Sequence, residues 1–89
     1  MVSRLNKGLF TFASDNAGPA RIAQLRNETT EMGLNPNVWF NNVEVAVAKK
    51  IGRETVQYVS NIYKYYIAYR LIVDKLQIKM EVLQKEKNN

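Results

Sequence analysis

The 89 residues contain no cysteine and no histidine. The first absence removes disulfides, thiol nucleophiles and thiolate metal ligands. The second removes the imidazole base and the ordinary zinc ligand. Most hydrolytic and redox chemistry goes with them, leaving carboxylates, tyrosine, lysine and binding geometry as the means open to an enzyme. Four glycines and two prolines leave few places to turn. Long apolar runs are missing too. Gly8–Ala13 (GLFTFA) is too short for a signal-peptide core, and nothing approaches the roughly 20 apolar residues of a membrane span. The expectation is a chain with no export signal, no membrane span, no metal and no cofactor.

What is present describes one small helical domain. A chain this short buries only about 60–65% of the surface its unfolded form exposes, so its core is thin. Hydrophobic residues make up 46% and charged residues 24%, which are globular values. Thirteen Lys and Arg against eight Asp and Glu give a net charge of +5. That balance favours anionic partners without naming one.

The glycines and prolines divide the chain. Ser3 to about Asp15 reads as a short helix with Leu5, Leu9, Phe12 and Ala13 on one side. Asn16-Ala17-Gly18-Pro19 forces a turn, and Pro19 fits the first turn of a second helix, where its missing N–H is no loss. That helix carries Ala20, Ile22, Ala23, Leu25 and Met32 and stops at Gly33. After the turn Asn35-Pro36-Asn37, Trp39 and Phe40 read as core anchors. A third helix is expected with Asn41 or Asn42 as its cap, then Val43, Val45, Ala46, Val47 and Ala48, ending at Lys49-Lys50.

Gly52 breaks the chain again, and no glycine or proline follows it. One long helix is expected over about residues 53–86, within a single all-α domain of residues 1–83 and a frayed tail at 84–89. Its apolar residues step by three and four: Val59, Ile62, Tyr66, Tyr69, Val73, Leu76, Met80 and Leu83. These are the a and d positions of four heptads. The upstream helices are too short to cover the second half of this seam, so a homodimer through the long helix is expected.

Other signals are weak. Tyr58, Tyr63, Tyr65, Tyr66 and Tyr69 interleave with Lys64 and Arg70, a pattern able to stack single-stranded bases. Two of the five lie on the seam and no nucleic-acid-binding signature accompanies them, so no nucleic-acid partner is expected. Ser14 and Ser60 have no base to activate them.

Three ordered segments carry more weight. Phe12–Ile22 (FASDNAGPARI) resembles the segment of lytic murein transglycosylases usually written A-x-Y-N-A-G-P. Gly52–Tyr66 (GRETVQYVSNIYKYY) is similar to that family's final motif, E-T-x-x-Y-V-x-N-I. Between them, Gly33–Glu44 (GLNPNVWFNNVE) is similar to the linker of its membrane-bound branch. Order and spacing agree over about residues 7 to 70.

The resemblance implies the C-terminal half of a helical domain like that of goose-type lysozyme. It also implies peptidoglycan glycan strands as substrate and the cell envelope as place of action. In that family one Glu protonates the bond between N-acetylmuramic acid and N-acetylglucosamine. The muramoyl 6-hydroxyl then attacks in place of water and leaves a 1,6-anhydro sugar, a departure from the usual two-carboxylate scheme. That Glu lies in a Glu-Ser motif upstream of the Asn-Ala-Gly-Pro loop. Glu28, Glu31, Glu44 and Glu54 match no such motif, so no catalytic residue is assigned and the chain alone is expected to be inactive. Asp15 also stands where the family has tyrosine.

The substrate-binding positions carried over are three. Asn16 matches the asparagine that shapes the sugar cleft; an asparagine capping the Pro19 helix explains it equally well. Glu54 matches the final-motif glutamate, and a first-turn carboxylate favoured by the helix dipole is its other reading. Tyr58 matches the motif tyrosine, with core packing as the competing account. The alternative for the whole chain is a helical self-association module with no glycan role.

Overall fold

The computed structural model describes residues 1–88. It is all-α, with helices α1 (Arg4–Ala17), α2 (Pro19–Glu31), α3 (Glu44–Ile51) and α4 (Glu54–Lys87). Three short helices precede a long one, as the sequence breaks predict. Ser3 starts α1: its Oγ accepts from the Asn6 backbone N–H at 3.2 Å and from Asn6 Nδ2 at 2.9 Å. Gly18, at φ +96°, ends α1 and leads directly into Pro19 at the start of α2. At the end of α2 the Leu34 N–H donates to Thr29 O (3.1 Å) and the Gly33 N–H to Thr30 O (3.0 Å), with Gly33 at φ +79°. This is the paired 6→1 and 5→2 closure that favours glycine at the left-handed position.

The link from α2 to α3 is held from both sides. Asn35 Oδ1 accepts from the Asn37 N–H at 2.9 Å, closing the turn. Arg26 donates through Nε to Pro36 O (2.8 Å) and through Nη2 to Asn37 Oδ1 (2.9 Å). Its guanidinium also lies 4.6 Å over the Phe10 ring, so one side chain ties α2, the loop and α1 together. Trp39–Val43 then makes a single π-type turn closed by the Val43 N–H on Val38 O at 3.1 Å. Asn41 sits at φ +60° within it, a conformation asparagine tolerates better than most residues.

Neither asparagine caps α3 in the expected manner. The cap position is Val43, and no side chain bonds the first helical N–H groups. Instead the Asn41 N–H donates to Glu44 Oε1 at 3.1 Å, tying the preceding turn to the first residue of α3. Asn42 is used elsewhere, donating to Phe40 O (2.8 Å) and accepting from the Asn35 N–H (2.9 Å).

The core gathers around the fully buried Trp39, with Leu9, Phe10, Ala13, Ile22, Leu25, Val43, Val47 and Val59 buried around it. Phe10 meets the indole edge-on, ring centroids 6.3 Å apart at 79°. The Trp39 backbone N–H donates to Asn6 Oδ1 at 2.8 Å across 33 residues. This bond turns the Asn6–Phe10 side of α1 inward, so Leu5, expected in the core, is 47% exposed. Ala20, Ala23 and Val45 are exposed as well, and Thr29 is buried in their place with its Oγ1 donating to Leu25 O at 2.7 Å.

Only the start of α4 belongs to this core. Val59 is fully buried, Ile62 and Tyr63 are half-buried, and beyond them Val73 alone is not exposed. The molecule measures 62 × 25 × 19 Å with a radius of gyration of 18.0 Å, against about 12 Å for a compact chain of this length. Its accessible surface is 6795 Å², roughly 1,400 Å² more than a folded monomer of its mass carries. The helix also continues through Lys87, so the expected frayed tail is helical over Gln84–Lys87. Asn89 lies outside the described residues.

Candidate functional site

A side-chain hydrogen bond joins the end of α1 to the start of α4. Thr55 Oγ1 donates to Asn16 Oδ1 at 2.7 Å, across 39 residues of sequence. Thr55 is only 5% exposed, whereas Asn16 is exposed. Asn16 does not cap α2, whose cap position is Gly18. The Asn-Ala-Gly-Pro turn and the first turn of α4 therefore meet through Asn16 and Thr55. Thr55 is the residue sequence reasoning passed over. Its place one step after Glu54 in the quoted motif was the available signal.

Glu54 and Tyr58 stand one helical turn apart on α4, flanking Thr55 on the same end of the molecule. Glu54 is exposed in the first turn, where the positive end of the helix dipole favours a carboxylate. Tyr58 is 38% exposed and stands outside the buried core cluster. On the neighbouring turn Gln57 Nε2 donates to Asn61 Oδ1 at 3.1 Å, a bond between two surface side chains of α4. Asn16, Glu54 and Tyr58 thus offer an amide, a carboxylate and a phenol to solvent.

That surface can hydrogen-bond a polar ligand. It cannot deliver a sheltered acid. A glycosidic oxygen is protonated efficiently by a carboxyl group held within hydrogen-bond reach in a positioned site. Glu54 has open solvent around it, and Glu44 is engaged with the Asn41 N–H. No group of three metal-ligating side chains comes together among the described residues. Nor is any helix there long and apolar enough to cross a membrane.

Two grooves border α4, and none of the three expected binding residues lines either. One, of about 360 Å³, runs between α1 and α4 over Leu5, Gly8, Leu9, Phe12, Tyr63 and Tyr66, with Arg4 at its rim. Its walls are almost wholly apolar. Tyr63 is fixed there by an edge-on contact with Phe40, centroids 5.2 Å apart. The other, of about 520 Å³, lies between α3 and α4 and is lined by Val45, Ala48 and Val56 with Glu44, Lys49, Arg53 and Gln57 around them. No family model, curated protein or solved structure matches the chain.

Proposed function

We propose that this chain forms one wall of a lytic-transglycosylase-type glycan site and does not cleave glycan by itself. The observation that carries the reading is the Thr55–Asn16 bond. The two sequence segments that resemble the family's motifs are far apart in the chain, and this bond joins them side chain to side chain. Glu54 and Tyr58 lie within one helical turn of Thr55 on α4, available to the hydroxyl and acetamido groups of an amino sugar. An open surface of this kind buries little of a ligand, whereas tight small-molecule sites bury most of it. Binding is therefore weak and the chemistry incomplete.

Digestion of purified peptidoglycan tests the catalytic half of the statement: no 1,6-anhydromuropeptides should appear above a heat-killed control. Co-sedimentation with insoluble peptidoglycan tests the binding half. The chain should pellet with the sacculus, and Tyr58→Ala or Glu54→Gln should lower the bound fraction several-fold. Anhydro products from the purified chain would overturn the inactive reading. Sedimentation unchanged in both variants would overturn the assignment of the site.

A second reading has its own observation. The seam Tyr66, Tyr69, Leu76, Met80 and Leu83 is exposed along α4, each residue at more than half of its full accessibility. Burying a large apolar side chain is worth about 1.5–3 kcal/mol. A chain of this size holds only several kcal/mol in reserve. Self-association through α4, broken by Leu76→Lys with Met80→Lys, answers that exposure.

A further inference from the structure

The seam does not exhaust the apolar surface of α4. Ile67, Leu71, Ile78 and Val82 are 39%, 63%, 62% and 51% exposed and belong to neither the a nor the d positions. At about 100° per residue they fall into one stripe, half a turn around the helix from the seam. Lys64 and Lys85 mark its two ends. A two-stranded coiled coil uses one stripe of each helix and leaves the opposite side to water. A helix apolar on opposite sides is covered on both.

We propose that the distal half of α4 is two-faced and that other copies of this chain cover both faces, giving an assembly larger than a dimer. The proposal rests on the self-association reading above and extends it to a second surface. The area admits more than one interface. The chain carries roughly 1,400 Å² more surface than a monomer of its mass. One standard interface removes about 800 Å² from each partner, and the excess leaves room for a second.

Charge argues for the same kind of occupant. Between Leu71 and Val82, Asp74 and Glu81 run along one flank of the second stripe and Lys75 and Lys79 along the other; Arg70 and Glu86, opposite in sign to their flanks, lie beyond that segment. Two copies of α4 aligned in parallel through this stripe bring the acidic flank of each beside the basic flank of its neighbour. An antiparallel pair sets like flank against like. The stripe is thus complementary to itself in one orientation, as an interface between copies requires.

Sedimentation equilibrium of the full chain at about 100 micromolar decides the matter, with circular dichroism confirming that every variant stays helical. The wild type should show a mass above twice 10.3 kDa. Leu71→Gln with Ile78→Gln should lower it to that of a dimer; both side chains are solvent-exposed in the single chain, so the change leaves its core intact. Leu71→Ala with Ile78→Ala, which keeps helix propensity high, should act in the same direction. A wild-type dimer whose mass is unmoved by either pair would overturn the second interface and leave the seam standing. A helical monomer would overturn both. A monomer that co-sediments with phosphatidylglycerol vesicles would assign the stripe to a lipid surface instead.

Discussion

Removing one end of the Thr55–Asn16 bond should cost more than removing the other. Thr55→Val deletes the donor and keeps the branched shape; Asn16, being exposed, turns its Oδ1 to water. The loss is then about 1 kcal/mol, the net worth of an ordinary hydrogen bond. Asn16→Ala instead strands a hydroxyl that is 5% exposed, and an unsatisfied buried donor costs about 1–3 kcal/mol. In the Thr55→Val background no donor remains to be stranded, so Asn16→Ala should cost less than about 0.5 kcal/mol there. The coupling between the two sites is therefore about 1–2 kcal/mol, within the range of contacting pairs. Urea denaturation of wild type, both single variants and the double variant measures it. All four must be run at one protein concentration, since assembly adds to apparent stability. A loss from Asn16→Ala that is the same in both backgrounds would refute the junction between α1 and α4.

Trp39→Ala should cost about 3–5 kcal/mol, because the indole is fully buried and Phe10 packs against its edge; the check is loss of amide NMR dispersion, since that is a large part of a small domain's stability. Gly33→Ala should destabilise by about 1 kcal/mol through backbone strain alone, since φ is +79° and no atom lies within 4 Å of the added carbon. Gly33→Asn should cost less than Gly33→Ala in the same urea series.

The helix borders were legible because they are local. Gly18-Pro19, Gly33 and Gly52 each sit where the backbone takes a positive φ or cannot continue a helix. The length of α4 followed from the absence of any breaker after Gly52. The inward faces were less legible. Leu5 and Leu9 are one turn apart, so period alone admits both to the core; the Asn6–Trp39 bond, spanning 33 residues, sets the rotation of α1 and leaves Leu5 outside. Asn41 and Asn42 looked like caps because asparagine so often is one, yet Asn41 bonds Glu44 only through its backbone N–H and the Asn42 side chain bonds Phe40 and Asn35 in the turn before α3. At the site, the motif resemblance singled out Asn16, Glu54 and Tyr58 but not Thr55, whose role depends on a partner 39 residues away. Nor did the a/d pattern disclose the second stripe of α4, since a heptad reading counts only the residues that fit it.

The central claim, that Asn16, Glu54 and Tyr58 form one wall of a glycan site, is tested most directly by amide NMR shifts during titration with chitooligosaccharides and muropeptides. The account predicts shifts centred on residues 15–19 and 54–58, with a dissociation constant weaker than about 10 micromolar, as expected for a surface that buries little ligand. Sub-micromolar binding, or shifts confined to the Lys75–Lys87 end of α4, would contradict it.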